Sequence, residues 1–235
     1  MAVEDGEWIM RGLDWNDPWR IRSWRELINW INEVGFLPLF ANEIPGFSAE
    51  EHIAPEYWFP EEGEGFWEWK GPVIRDSGCA YGKLFKGRAS FMTLEYYREF
   101  ANYRRNGYDF DALVDEGLAR YRDIDVYNRL SEAGSILSTD LMHMCDMKTF
   151  NDSIVHLQRL GYVIIADFEY RVNKRGELYG WGVTRYETPE YHFGAAFTDK
   201  VYEHSPEESK EILIDRIEYL RPKASFEEIE KFVKR

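Results

Sequence analysis

Apolar residues first take helical spacing at Leu27, Ile28, Ile31 and Val34, one stripe of a 3.6-residue period. Ahead of them Ser23-Trp-Arg-Glu26 is a capping box, in which the serine oxygen and the glutamate serve free backbone N–H groups. Gly35 is a natural stop. The spacing predicts a helix over 24–34. A second Ser-x-x-Glu, Ser48 to Glu51, predicts a short helix cut off by Pro55. Pro60, Gly63, Gly65 and Gly71 then mark irregular chain. From Val73 to Met92 the pattern is that of strands, with Cys79–Phe85 and Ala89–Met92 joined at Lys86-Gly87-Arg88 as a hairpin. Thr93 is placed to cap a helix over Leu94 to Arg105, and Asp109–Gly117 reads as a short acidic helix or linker.

The stretch that follows has the most specific order. A helix over 122–133 stops at Gly134, Ser138 caps a short helix through Leu141 and Met144, and a third begins near Thr149. Phe150, Ile154, Leu157 and Leu160 share a face of that third helix. A hairpin comes next: Tyr162–Val172, a turn at Asn173–Gly176, and a return over Glu177–Tyr186. Three helices and then a hairpin is the order of a winged helix, with the third helix as reader and the turn as wing tip. Ser205-Pro-Glu-Glu208 and Ser225-Phe-Glu-Glu228 each start a further helix. The expected fold is α+β. It divides into an N-terminal region of helices with a small hairpin or sheet (1–117), a winged-helix domain (118–192) and a C-terminal helical extension (193–235). No internal repeat is visible in the sequence.

Composition narrows the class. The chain has 235 residues, 44% of them apolar, enough to fill a core in a protein of this size. The longest apolar run, Tyr162–Ala166, falls far short of the ~20 residues that span a bilayer, so no membrane partner is expected. The acidic N-terminus lacks the basic and greasy stretches of a secretory signal, which gives a cytoplasmic expectation. Cys79 and Cys145 form neither a disulfide framework nor a zinc pattern. No cofactor is expected. Net charge is −14, which on average repels nucleic acid and acidic surfaces.

That charge is uneven. Glu43 to Glu68 holds eight carboxylates and no Lys or Arg, whereas Lys70 to Arg105 holds eight basic residues and three acidic ones. Lys70, Lys83, Lys86, Arg88, Arg104 and Arg105 form an anion-binding set if hairpin and helix ends converge; a solvated acidic loop beside a basic face is the alternative. On the reader helix Asn151, Asp152, His156 and Arg159 are able to meet base edges, and Lys174 and Arg175 sit at the wing tip. Residues 120–192 nevertheless carry nine basic and eleven acidic side chains, and phosphate contacts come mainly from Lys and Arg. Trp67 and Trp69, spaced by two, share a face if that segment is a strand and offer a base-stacking platform, or else serve the core. Tyr179, Trp181 and Val183 alternate with Gly180 and Gly182, giving one bulky and one bare strand face. Glu61, Glu62, Glu64 and Glu68 hold any general base, against a solvated loop. His143, Cys145 and Met147 lack a trusted metal spacing and are expected in the core.

Gly35-Phe-Leu-Pro-Leu-Phe40, Trp67-Glu-Trp-Lys-Gly71, Tyr81-Gly-Lys83, Phe100–Phe110 and Val172–Trp181 resemble the bacterial proteins called AlkZ-related. Those are distantly similar to AlkZ-type DNA glycosylases, which are built from winged-helix units and use a Gln-x-Gln motif to position water. The resemblance implies a winged-helix fold and DNA as partner. The motif is not matched: Gln158 is the only glutamine, and Leu160 stands two residues on. No catalytic residue transfers, since fold likeness does not carry chemistry. Three readings stay open: a DNA-binding protein, a protein-interaction or regulatory module, and a small-molecule enzyme with a pocket at Trp67, Glu68 and Trp69.

Overall fold

A computed structural model describes the chain apart from residues 1, 5, 6, 10, 11, 15, 62, 177 and 235, and apart from the side chains of 2–4, 7–9, 171, 178, 179 and 181. Glu62, Tyr179 and Trp181 of the expected sets therefore fall outside the described side chains. A two-stranded hairpin, β1 (Ala2–Glu4) and β2 (Glu7–Ile9), precedes helix α1 (Trp24–Val34). Ser23 Oγ accepts from the Glu26 N–H at 3.2 Å, and Glu26 accepts from the Arg22 N–H at 2.7 Å. Leu27, Ile31 and Val34 are buried.

Strand β3 (Phe36–Pro38) follows directly. The Ser48–Glu51 signal does not start a helix: Ser48 Oγ donates to Glu51 at 2.6 Å, Glu51 accepts from the Gly46 N–H at 2.8 Å, and the segment closes on itself as turns. Only a 3-10 turn at Pro55–Tyr57 is helical there. Helix α2 (Phe66–Ser77) lies where irregular chain and a strand were expected. Glu68 accepts from the Gly65 N–H at 2.9 Å, and Phe66, Trp69, Val73 and Ile74 form the buried stripe despite Pro72 within the helix. The hairpin is as expected: β4 (Ala80–Phe85) and β5 (Arg88–Met92), antiparallel, with β3 on the other side of β5. Helix α3 (Leu94–Arg105) then begins after Thr93, whose side chain makes no capping bond. Helix α4 (Phe110–Asp115) is capped by Asp109.

Helix α5 (Tyr121–Ala133), strand β6 (Ser135–Leu137), helix α6 (Ser138–Met144), helix α7 (Met147–Arg159) and strands β7 (Ile164–Val172) and β8 (Leu178–Glu187) complete the expected order of three helices and a hairpin. Strand β6 adds to the hairpin, giving the order β6-β8-β7. Asp146, and neither Ser138 nor Thr149, supplies a side-chain cap here. Short helices α8 (Pro189–Phe193) and α9 (Ala195–Thr198) lead to α10 (Pro206–Leu220) and α11 (Phe226–Val233), both opened by capping boxes. The architecture is α+β. One apolar cluster joins α1, α2, α5, α7 and β7; a second gathers Phe36, Phe85 and Phe100 with Leu213, Ile217 and Phe232.

The two halves repeat one pattern that the sequence hides. In each, a helix ends at a glycine with positive φ (Gly35, +86°; Gly134, +71°). A three-residue strand follows at once, and the sheet order is first, third, second strand in both. Register agrees: Phe36 faces Met92, which faces Ala80, as Ser135 faces Glu187, which faces Ile164. The residue after the last strand is Thr93 in one half and Thr188 in the other, each preceding a helix. The halves also grip each other reciprocally. Three residues before the glycine that ends α2, Arg75 donates to Asp167 of β7 at 2.5 Å. Three residues before Gly161, at the end of α7, Gln158 accepts from the Lys83 N–H of β4 at 2.9 Å.

Candidate nucleic-acid interface

The expected basic set does not form one surface. Arg104 and Arg105 are buried at 5% and 2% exposure. Arg105 donates to Glu190 at 2.6 Å, to Tyr202 Oη at 3.1 Å and to the Gly161 carbonyl at 2.6 Å, with its guanidinium 4.4 Å from the Tyr162 ring centroid. Burial works against its charge, but Glu190, Tyr202 and Tyr97 hold its pKa above the ordinary value. Arg104 donates to the Lys234 carbonyl at 2.8 Å. These two cations tie α3 to the C-terminal half and are closed to phosphate.

Lys83, Lys86 and Arg88 stay exposed on the β4–β5 hairpin. Lys86 pairs with Glu43, holding that carboxyl below its usual range against the opposing effect of burial, and Arg88 reaches the Ala41 carbonyl at 3.4 Å. The turn meets α7: a Cβ placed on Gly87 would lie 3.6 Å from Val155 Cγ1 and 3.9 Å from Arg159 Cδ. Among the described residues, Lys83 and Arg159 make no side-chain ion pair. The structure thus sets the turn that carries Lys86 and Arg88 against Arg159 of α7, and binds Lys83 to the same helix through its backbone N–H.

The remaining reader-helix residues are more occupied than expected. Asn151 is exposed, but Asp152 accepts from Arg122 at 2.7 Å and Arg120 at 3.3 Å. His156 Nδ1 lies 2.7 Å from Asp123, which also receives two Arg120 bonds at 2.7 Å. Burial pushes the Asp123 carboxyl up, yet the bonds from His156 and Arg120 bring it net below the usual range. Lys174 and Arg175 are exposed at the β7–β8 turn, where Arg175 N–H donates to Asn173 Oδ1 at 2.8 Å.

The tryptophan pair does not share a face, because α2 is a helix and residues two apart point to different sides. Trp69 is buried at 4% against Tyr57 and Phe66. Trp67 is half-buried, 5.6 Å from Trp58 and 6.4 Å from Phe40. Lys70 lies over it, its ammonium 4.4 Å from that ring and 4.6 Å from Phe168. Burial pushes Lys70 down to about 8, opposed by Glu68. Beside these residues a cleft of about 450 Å³ separates α2 from the β7–β8 hairpin, lined by Glu64, Glu68, Gly71, Pro72, Arg75, Phe168, Tyr170 and Gly180. Sequence reasoning missed Arg75, Phe168 and Tyr170, which reach the cleft only because the halves interlock. Gly182, on the expected bare face, lies against Phe168 and Tyr170 of its own hairpin. His143, Met144 and Met147 are exposed and not in the core. Cys79 is buried, which pushes its thiol up to about 11. Among the described residues, no group of three or more His, Cys, Asp or Glu is placed to hold a metal ion. No helix there is long and apolar enough to cross a membrane.

A family model described as AlkZ related matches residues 21–234, nearly the whole chain, and the protein belongs to that family. No curated protein and no solved structure matches it.

Proposed function

We propose that this is a cytoplasmic DNA-binding protein in which residues 118–192 act as a winged helix, flanked by 1–117 and 193–235. It grips the nucleic-acid backbone weakly and engages damaged or unpaired sites. The observation that carries the reading is that the β4–β5 turn bearing Lys86 and Arg88 packs against α7 at Arg159, with Lys83 bound to that helix through its backbone N–H. A local cation cluster on a chain of net charge −14 concentrates attraction in one place, and phosphate contacts of that kind dominate affinity. The family's relation to AlkZ-type glycosylases and the order α5-β6-α6-α7-β7-β8 support it.

Base excision stays outside this reading. The single glutamine is buried with both ends of its amide committed, Oε1 to the Lys83 N–H at 2.9 Å and Nε2 to the Ile154 carbonyl at 3.1 Å. At 0% exposure it has no open face on which to align a water as the glycosylase motif does. Binding to duplex, mismatched and single-stranded oligonucleotides across a salt series tests the proposal. Affinity is expected to fall steeply between low and physiological salt, and absence of binding at low salt overturns it.

A second reading, in which the winged helix serves protein contacts, draws on the engagement of α7 with β4 through Gln158. It predicts that no nucleic acid is retained at any salt.

A further inference from the structure

Helix α10 buries Leu213, Ile214 and Ile217, packing on α3 and α11, and turns another face outward. Glu207, Glu211, Asp215 and Glu218 lie on that face, all exposed. At about 100° per residue they fall within an arc of about 80° and run about 16 Å along the axis. Among the described residues none of the four has a hydrogen bond or an ion pair. The cations of the helix are committed elsewhere: Lys210 donates to Glu230 of α11 at 2.8 Å, and Arg216 to the Glu33 and Val34 carbonyls. Lys223, in the turn that follows, lines a different depression. Like charges four residues apart weaken a helix, so the stripe works against α10 on its own. Beside it a groove of about 350 Å³ between α10 and α11 is lined by Ile214 and by Phe226, which is 58% exposed, together with the four carboxylates and Lys210. On the opposite flank Tyr219, one turn beyond Asp215, is 76% exposed. Large rings left in water on both sides of a charged stripe mark an interaction surface.

We propose that the α10–α11 groove docks a basic amphipathic helix of a partner protein. An apolar side chain of that helix enters the groove over Ile214 and against Phe226, and Lys or Arg side chains one turn apart meet Glu207, Glu211, Asp215 and Glu218. The match is one of charge and of spacing: carboxylates repeating every three or four residues are answered by cations with the same repeat. Steering comes from the stripe, and retention comes from the ring that leaves water. Phosphate is repelled here, so this surface is separate from the β4–β5 turn and α7, and the inference rests on neither reading of the winged helix.

The test uses the full chain and a fluorescent alanine-based peptide as long as α10, 15 residues, with lysines at the spacing of the four carboxylates and leucines on the adjacent stripe. A peptide of the same composition in shuffled order is the control. Anisotropy should show the patterned peptide binding roughly tenfold more tightly than the shuffled one. Glu211→Lys with Asp215→Lys should weaken it by roughly tenfold or more, and the milder Glu211→Gln with Asp215→Asn should weaken it in the same direction. Phe226→Ala should weaken it about fivefold with the urea unfolding midpoint retained. Carbodiimide coupling of the peptide's lysines, mapped by mass spectrometry, should fall on Glu211 and Asp215 in preference to Glu61 and Glu64 of the other acidic stretch. Equal binding of the shuffled peptide, indifference to Phe226→Ala, or an even spread of couplings over both acidic stretches overturns the proposal. Sedimentation of the parent alone should show a monomer. A dimer that the charge reversal dissolves would give the groove to a second copy of this chain and overturn the assignment to a partner. Loss of duplex binding in the β4–β5 and α7 variants bears on the DNA reading alone.

Discussion

Tyr191 lays its ring across Gly134, so close that a Cβ added to the glycine would lie 2.7 Å from Cε2. Tyr96 covers Gly35 in the same way. Each tyrosine is three residues beyond the threonine that follows the last strand of its half, and each glycine ends the first helix at positive φ. Alanine at either glycine meets two costs: a left-handed backbone disfavoured for residues with a Cβ, about 1 kcal/mol or more, and overlap with the ring. Gly35→Ala and Gly134→Ala should each lose about 2 kcal/mol in urea unfolding. Tyr191→Ala should restore part of the loss in Gly134→Ala, because it removes the overlap and leaves the backbone strain. A Gly134→Ala protein with the parent's midpoint would show that this corner is loosely built.

The repeat was illegible in the sequence because it survives only at such corners. Where the halves coincide, Phe36 answers to Ser135, Met92 to Glu187 and Arg75 to Gln158, so no shared hydrophobic text remains. Elements whose signals are local were readable: the capping boxes at Ser23, Ser205 and Ser225 each open a helix as expected. Helix α2 was not, since Gly71 and Pro72 argue against a helix locally. Gly71 lies under the Arg75–Asp167 pair: a Cβ added there would sit 3.1 Å from Arg75 Nη1 and 3.6 Å from Asp167 Oδ1. The site followed the same rule. The β4–β5 hairpin was legible, but the burial of Arg105 depends on Glu190, 85 positions away, and no spacing announces that.

Gln158 and Arg75 hold corresponding places between the halves, yet their worth should differ. Gln158 is fully buried and is the partner of a backbone N–H. Gln158→Leu strands that donor, a loss of about 1–3 kcal/mol. Arg75 is half exposed, and a solvent-screened pair of this kind contributes about 0–1 kcal/mol. Urea unfolding of the two variants should therefore separate clearly. Equal losses would contradict the assignment of Gln158 as the tighter clasp.

Arg105 should be structural and not a DNA contact. Arg105→Met leaves Glu190 without its partner and frees the Gly161 carbonyl; removing one member of a buried pair costs about 3–5 kcal/mol. Glu190 is a third exposed and can rehydrate, which places the expected loss near the lower end. Thermal unfolding should show the drop, while the salt dependence of nucleic-acid binding at low temperature should be that of the parent.

Acid should loosen the protein partly through Asp123. Its folded pKa is held below the ordinary aspartate value by His156 and Arg120, despite burial. A carboxyl depressed in the folded state contributes stability that is fully present above the unfolded pKa and is lost as pH falls through the folded one. That places the contribution's decline below about pH 4. Glu187, lowered by His192 and Ser135 against its own burial, adds to the same limb. Asp123→Asn should be less stable than the parent at neutral pH, and the gap should narrow as pH drops from 4 to 2.5. A gap that stays constant over that range would remove Asp123 from the acid response.

The DNA reading predicts where the salt dependence resides. Each phosphate neutralised contributes about −0.9 to the slope of log affinity against log salt on duplex DNA. Lys83→Ala with Arg159→Ala removes two cations at the meeting of the β4–β5 turn with α7. It spares the cross-half bond, because that bond uses the Lys83 backbone N–H. The slope should become shallower by about 2 if both contact phosphate. Lys174→Ala with Arg175→Ala, at an exposed turn, should have its own effect, additive with the first if wing and hairpin meet separate phosphates. Fluorescence anisotropy with one labelled duplex over a range of salt reads all four proteins, the parent, each pair and the combination. Slopes that do not differ among them would assign the binding to a surface other than this one and favour the protein-contact reading.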